Sequence, residues 1–349
     1  MKQFEKKKIF YIVDLYNLIS LEKLENERYL PLPLRNISYK SESILLKLQL
    51  LTANHILASS LRQRDFYLGE LEAIGRINPK SYQSDPAFKS LISVVPFGLS
   101  ANPPLKIKDN QVIKKLIPNY SEKDKIIIWG GGIWNWFDPL SLIKAINILK
   151  YSCPEIKLLF LGTTYLPKGR FQEGKMIQEA IRLSNDLDLT NRQIFFNHDW
   201  IPFTERADFF LASWIGASIH FDNLETYFSL RTRILDYWWT NLPILTTKGD
   251  YLSELVQRND LGIVVDYQDI NGIVEAIIKF AEDTTFYEQC KKNIAAIKEK
   301  IFWGNTLKPL IEMVSSYQKN NRPRAFNILT YYRLIIQYYL IQIKIFLKD

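Results

Sequence analysis

From Lys125 onward, short runs of β-branched and aromatic residues alternate with longer amphipathic stretches, and this alternation restricts the fold more than any other feature of the chain. Residues 125–129, 156–162, 193–196, 215–219, 243–247 and 262–265 read as buried strands, because their apolar runs are continuous rather than alternating. Helical stretches lie between and after them, at 139–150, 172–185, 204–212, 231–241, 251–257, 270–283 and 287–300. Asp138 before Pro139 is a cap followed by a first-turn proline. Strands joined by helices of this length close as right-handed crossovers, so the expectation is an α/β fold with a parallel sheet and helices on both faces.

The first hundred residues follow the same grammar more sparsely. Residues 8–13 read as a strand ending at Asp14-Leu15-Tyr16-Asn17, 42–51 as a helix and 55–59 as a short strand. A helix at 61–74 and a strand at 90–95, closed by Pro96-Phe97-Gly98, complete this part. His55 is expected to pack or cap at a strand edge and receives no role. Asn102-Pro103-Pro104 and mixed charge mark 99–124 as a linker carrying a short helix. The expected organisation is a partial Rossmann-like domain at 1–98, the linker at 99–124, a second Rossmann-like domain at 125–305 and terminal helices at 306–349. About 95 residues precede the Pro96 turn, whereas a doubly wound nucleotide-binding domain usually takes roughly 150. A truncated product, a split enzyme completed by a partner chain and a reduced working variant are three open explanations.

Residues 220–250, HFDNLETYFSLRTRILDYWWTNLPILTTKGD, read as a site rather than as scaffold. Ile234, Leu235, Trp238, Trp239 and Leu242 form the buried stripe of a helix, with Arg233, Asp236 and Thr240 on its other side. Arg231 and Arg233 then fall in the first turn, where the backbone dipole favours acidic residues; a bound anion would resolve the conflict. Ser229 is placed to cap that turn, and the free N–H groups with the two arginines would cradle a phosphate. The plainer alternative is a surface helix with an exposed Arg233–Asp236 pair. Gly130-Gly131-Gly132, after the first strand of the second domain, would let backbone approach a ligand, though it matches neither a Walker loop nor G-x-G-x-x-G.

This stretch, with Pro243 and the T-x-G-D run behind it, resembles the donor-binding region of retaining GT-B glycosyltransferases, the group called glycosyltransferase family 4. The resemblance implies two Rossmann-like domains, the first incomplete here, and transfer of a sugar from a nucleotide-diphosphate sugar to a glycan or lipid-linked acceptor, with retention and without a metal. It makes Asp236 the ribose-binding acid and Glu225 the acid facing the sugar. The family spaces its two glutamates by seven residues; here ten separate Glu225 from Asp236, and Phe228 holds the strict position. The family's glycine-rich loop also carries an Arg and a Lys for the diphosphate, at the places of Gly132 and Phe137. The task falls instead to Arg231, Arg233 and Lys248, with Gly131, Gly132, Ser229 and Asp250 beside them. Trp134 either lines the sugar or acceptor pocket or packs between domains. His198 and Trp200 lie in the loop that meets the nucleotide base in the family, and burial of Trp200 in the core is the alternative. A donor-binding, non-catalytic subunit that completes a partner chain is the rival reading.

Three histidines, at 55, 198 and 220, offer no metal-ligand spacing, and no cofactor beyond the nucleotide sugar is expected. Cys153 and Cys290 suit a reducing compartment, and the apolar run at 9–13 is too short for a secretion signal, so a cytoplasmic protein is expected. The net charge of +8 permits an anionic partner, but the basic residues are dispersed, which argues against nucleic acid. The terminal stretch 323–349 has only ten residues, 334–343, between charges, where about 20 apolar residues span a bilayer. Two expectations compete for it: a helix packing onto the first domain, and a helix lying on the cytoplasmic face of the membrane.

Overall fold

A computed structural model describes residues 10–106, 111–163, 174–316 and 328–346. The amino terminus through residue 9, the start of the helix expected at 172 and both ends of the terminal stretch lie outside those residues. The chain forms two compact units: residues 1–97, 228–230 and 304–349, and residues 98–227 and 231–303.

The first unit builds on β1 (Ile12–Asp14), α1 (Ile19–Asn26), α2 (Leu32–Thr52), β2 (His55–Ala58), α3 (Leu61–Ala73), α4 (Pro79–Ser84) and β3 (Ile92–Val94). The strands form a parallel sheet in the order β1-β2-β3. Helix α2 begins ten residues before the expected 42–51 helix because Pro31 and Pro33 lie at its start. Prolines there break nothing, since first-turn N–H groups have no intrahelical acceptor. His55 proves to sit on the central strand, not at an edge, fully buried with Ser90 O at 3.2 Å and Ser93 Oγ at 2.8 Å from its ring nitrogens. Ser60 caps α3 by accepting from Gln63 N.

The second unit contains α5 (Gln111–Leu116), β4 (Lys125–Gly132), α6 (Pro139–Leu149), β5 (Ile156–Gly162), α7 (Lys175–Asp186), β6 (Ile194–Phe196), α8 (Arg206–Leu211), β7 (Ile215–Ser218), α9 (Leu224–Phe228), α10 (Arg233–Trp239), β8 (Ile244–Thr247), α11 (Tyr251–Arg258), β9 (Gly262–Val265), α12 (Ile270–Glu282) and α13 (Thr284–Ile297). Its six strands are parallel in the order β6-β5-β4-β7-β8-β9. Successive strands run outward from β4 in one direction and, from β7, in the other. The carboxyl ends of β4 and β7 therefore flank the point where the winding reverses, which is where open α/β sheets bind ligands. Ile127, Trp129, Leu158, Phe160, Ile215 and Ala217 from the strands, with Leu142 and Ile146 of α6 and Ile273 and Ile277 of α12, form its core. Two further helices, α14 (Lys308–Ser316) and α15 (Ile328–Phe346), belong to the first unit.

Candidate functional site

Strand β4 ends in Gly130-Gly131-Gly132 at the winding reversal, and Gly131 takes φ +137°, a conformation a side chain would strain. Arg233 opens α10, and its Nη2 donates to the Gly132 carbonyl at 2.7 Å. Its guanidinium carbon lies 4.0 Å from the centre of the Phe137 ring and 4.6 Å from that of Trp129. The Arg231 guanidinium approaches the same Phe137 ring at 4.9 Å. Phe137 thus lies close to two cations, and the negative π face of an aromatic ring favours them. The plainer alternative, an exposed Arg233–Asp236 pair, does not form: Arg233 is buried and donates to Gly132, and Asp236 has Arg206 as its partner.

Arg231 differs from its expected place. The helix starts at Arg233, so Arg231 precedes it, and the N-cap position belongs to Thr232, with no side-chain cap. Ser229 therefore does not cap α10; it is four residues ahead of Arg233, too far for an N-cap hydroxyl to reach the first-turn N–H groups, and it groups with the first unit. Glu225 lies on the short helix α9. Arg231 grips it with two bonds, Nη1 to Oε1 at 2.9 Å and Nη2 to Oε2 at 2.7 Å, and also donates to Thr226 Oγ1 at 3.0 Å. With side chains 4% and 2% exposed, the residues expected to meet diphosphate and sugar neutralise each other.

Beside this pair, the His220 and Asp250 side chains are fully buried, with Nε2 to Oδ2 at 3.0 Å. Burial pushes the His220 pKa below its ordinary value, against the pull of Asp250. Burial alone would raise the Asp250 carboxyl, but the His220 bond and the Arg231 charge hold it below the usual range. An imidazole Nε2–H donated to the Asp250 carboxylate fits both directions. Asp250 also caps α11 through Leu252 N and Ser253 N at 2.8 and 3.1 Å. It ties the T-x-G-D loop to the segment leaving β7, so the T-x-G-D aspartate acts here as an anchor. Lys248 is half exposed and pairs with Asp266 at 2.7 Å.

Asp236 faces the other way and pairs with Arg206 at 3.0 Å. Burial pushes its carboxyl up to about 6, with Arg206 opposing. The Arg206 guanidinium lies 4.0 Å over the Phe203 ring. Trp200, 71% exposed, is not a core residue, so its ring is open to a ligand. His198 Nδ1 is 3.1 Å from Thr163 Oγ1, which fixes the base of the loop. Trp134 stacks on the buried Trp136 at 5.5 Å within the second unit.

Two contributors escape a sequence reading. Arg206 lies thirty residues from Asp236, on α8, and no local pattern pairs them. Tyr237 interrupts the apolar stripe of α10 yet is fully buried; its hydroxyl accepts from Gly130 N at 2.9 Å and donates to Ala217 O at 2.8 Å. Burial pushes that phenol up to about 12. A Cβ at Gly216 would fall 2.4 Å from the Tyr237 ring, so the glycine in β7 was the available signal. Among the described residues, no cluster of three His, Cys, Asp or Glu is placed to hold a metal ion, and no helix is long and apolar enough to cross a membrane.

No protein-family model matches the chain, and no curated protein sequence does. Solved structures do match its fold. Anabaena Alr3699/HepE in complex with UDP and glucose aligns with TM-score 0.63 at 15% identity, over 88% of this chain and 71% of that one. Sucrose-phosphate synthase from Thermosynechococcus elongatus aligns with TM-score 0.60 at 14% identity, over 88% and 67%. WaaG, a glycosyltransferase involved in lipopolysaccharide biosynthesis, aligns with TM-score 0.53 at 12% identity, over 74% and 61%. The fold is the two-domain GT-B arrangement of parallel sheets flanked by helices.

Proposed function

We propose that this chain is a cytoplasmic glycosyltransferase that moves a sugar from a nucleotide-diphosphate donor to a glycan or lipid-linked acceptor, with retention and without a metal ion. The Arg233 guanidinium at the Gly132 carbonyl carries the reading. In the glycosyltransferases that the sequence resembles, the glycine-rich loop supplies its own cations for the diphosphate. Here helix α10 brings a cation to that loop from 101 residues away, at the winding reversal of the sheet. Arg233, joined by Arg231, stabilises the departing diphosphate, the term that dominates chemistry in which charge builds on a leaving group. Asp236 holds the ribose, Trp200 stacks on the base and Glu225 faces the sugar. The complexes of HepE with UDP and with UDP-glucose support a uridine nucleotide as the first donor to try.

A second reading, a donor-binding subunit that needs a partner chain for catalysis, is favoured by one observation: Glu225 is already taken up by Arg231. Calorimetry with UDP in the presence of a chelator tests donor binding, and consumption of UDP-sugar in the presence of acceptor separates the two readings. Metal-free binding, weakened at least tenfold in Arg233→Met, is expected. Strict magnesium dependence, or an unaltered affinity in Arg233→Met, would remove the assignment. Binding with no turnover of any sugar would favour the second reading.

A further inference from the structure

Helix α15 has two faces, one packed on the first unit and one exposed. Tyr331, Leu334, Ile335, Tyr338 and Ile341 pack against Ile44, Leu48 and Leu51 of α2, and Gln342 donates to Ser41 Oγ at 2.9 Å. On the opposite face Leu329, Tyr332, Ile336, Tyr339, Leu340 and Ile343 are 40% to 78% exposed. At 3.6 residues per turn these six span an arc of about 100°, and Arg333, Gln337 and Lys344, also exposed, extend it along one flank. No acidic residue occurs between residues 328 and 346. The charge of the chain is divided just as unevenly: the first unit has 21 Lys and Arg against 12 Asp and Glu, the second 24 against 25. The whole positive excess belongs to the unit that carries this helix.

We propose that the outer face of α15 docks on an anionic lipid bilayer, lying along the interface with its aliphatic residues in the acyl boundary. Tyr332 and Tyr339 sit at headgroup depth, and Arg333 and Lys344 reach lipid phosphates from the flank. Amphipathic helices with an aromatic-aliphatic face and basic edges bind membranes in this way. The helix is not long and apolar enough to cross one. A second copy fits the face less well, because pairing two such faces brings Arg333 and Lys344 of both near one another with no carboxylate to answer them. The proposal stands on α15 alone and is independent of the glycosyl-transfer reading.

The test is sedimentation of the full chain with vesicles of phosphatidylcholine alone and of phosphatidylcholine with 30% phosphatidylglycerol, at low and high salt. Binding is expected on the anionic vesicles, weakened by salt. Arg333→Gln with Lys344→Gln should lower the partition constant at least tenfold, and so should Ile336→Asp with Leu340→Asp. Tyr151→Asp, at an exposed aromatic of the second unit, should leave it unchanged. Circular dichroism and melting establish that each variant is folded. Equal binding by wild type and a folded Ile336→Asp/Leu340→Asp variant would overturn the proposal. So would no vesicle binding together with a dimer that the same variant disperses, which would assign the face to a second copy.

Discussion

The Glu225–Arg231 pair invites a double-mutant cycle, because its geometry sets both size and sign of the outcome. The side chains are 2% and 4% exposed and joined by two short bonds, so removing either partner leaves a buried charge uncompensated. Glu225→Leu and Arg231→Met should each cost about 3–5 kcal/mol. Replacing both removes the stranded charge and loses only the Thr226 bond and the Phe137 cation–π contact, roughly 1 kcal/mol each. The double variant should therefore lose only about 2 kcal/mol, less than either single variant, a coupling of roughly 4 kcal/mol or more. For a unit of about 200 residues, 1 kcal/mol moves the midpoint by roughly 2–4 °C, so calorimetry should show single variants melting roughly 6–20 °C below wild type. Under the proposed function the pair also opens for the donor. UDP at a hundred times its dissociation constant should then stabilise wild type by about 2.7 kcal/mol, and the double variant less. Additive single losses below about 1 kcal/mol, as for an exposed ion pair, would refute the buried-pair argument.

Asp236 should give stability a distinct pH slope: its carboxyl is raised to about 6 from 3.8, so its contribution is full below pH 3.8 and is lost as pH rises through 6. Asp236→Asn should flatten melting temperature against pH across that window, by up to about 3 kcal/mol, and should weaken nucleotide binding chiefly above pH 6; an unchanged slope would contradict the assignment. Trp200→Ala should leave the melting temperature alone, since the ring is 71% exposed, while lowering nucleotide affinity by about 1–3 kcal/mol in titration calorimetry; equal affinity would deny the base-stacking role. Tyr237→Phe should cost about 1–3 kcal/mol in chemical denaturation, because Gly130 N loses its acceptor inside the core; a neutral result would show that the amide finds another partner.

The second sheet was legible because each of its strands is a continuous apolar run and each crossover has room for a helix; the strand order, which makes β4 and β7 the flanks of the site, follows from no local pattern. The start of α2 is not legible in the sequence, because proline is a breaker everywhere except the first turn and sequence alone does not say which turn is first. Geometry was legible where it is local, as in the positive φ of Gly131, and illegible where a partner arrives from a distance, as with Arg206 on Asp236. The loop after β4 shows why. By position along the chain it lacks the two cations expected of it, having Gly132 and Phe137 instead. In space a guanidinium stands at Gly132, supplied by Arg233, and the Phe137 ring lies close to that guanidinium and to Arg231. The contact at 132 is made by the backbone carbonyl, which any residue would supply, and the aromatic at 137 favours cations that it does not itself carry. The two positions that look like losses are thus the ones that meet charges brought from helix α10 and from just before it, one through a carbonyl and one through a ring. A comparison by position along the chain sees neither contact, because Arg233 lies 101 residues beyond Gly132.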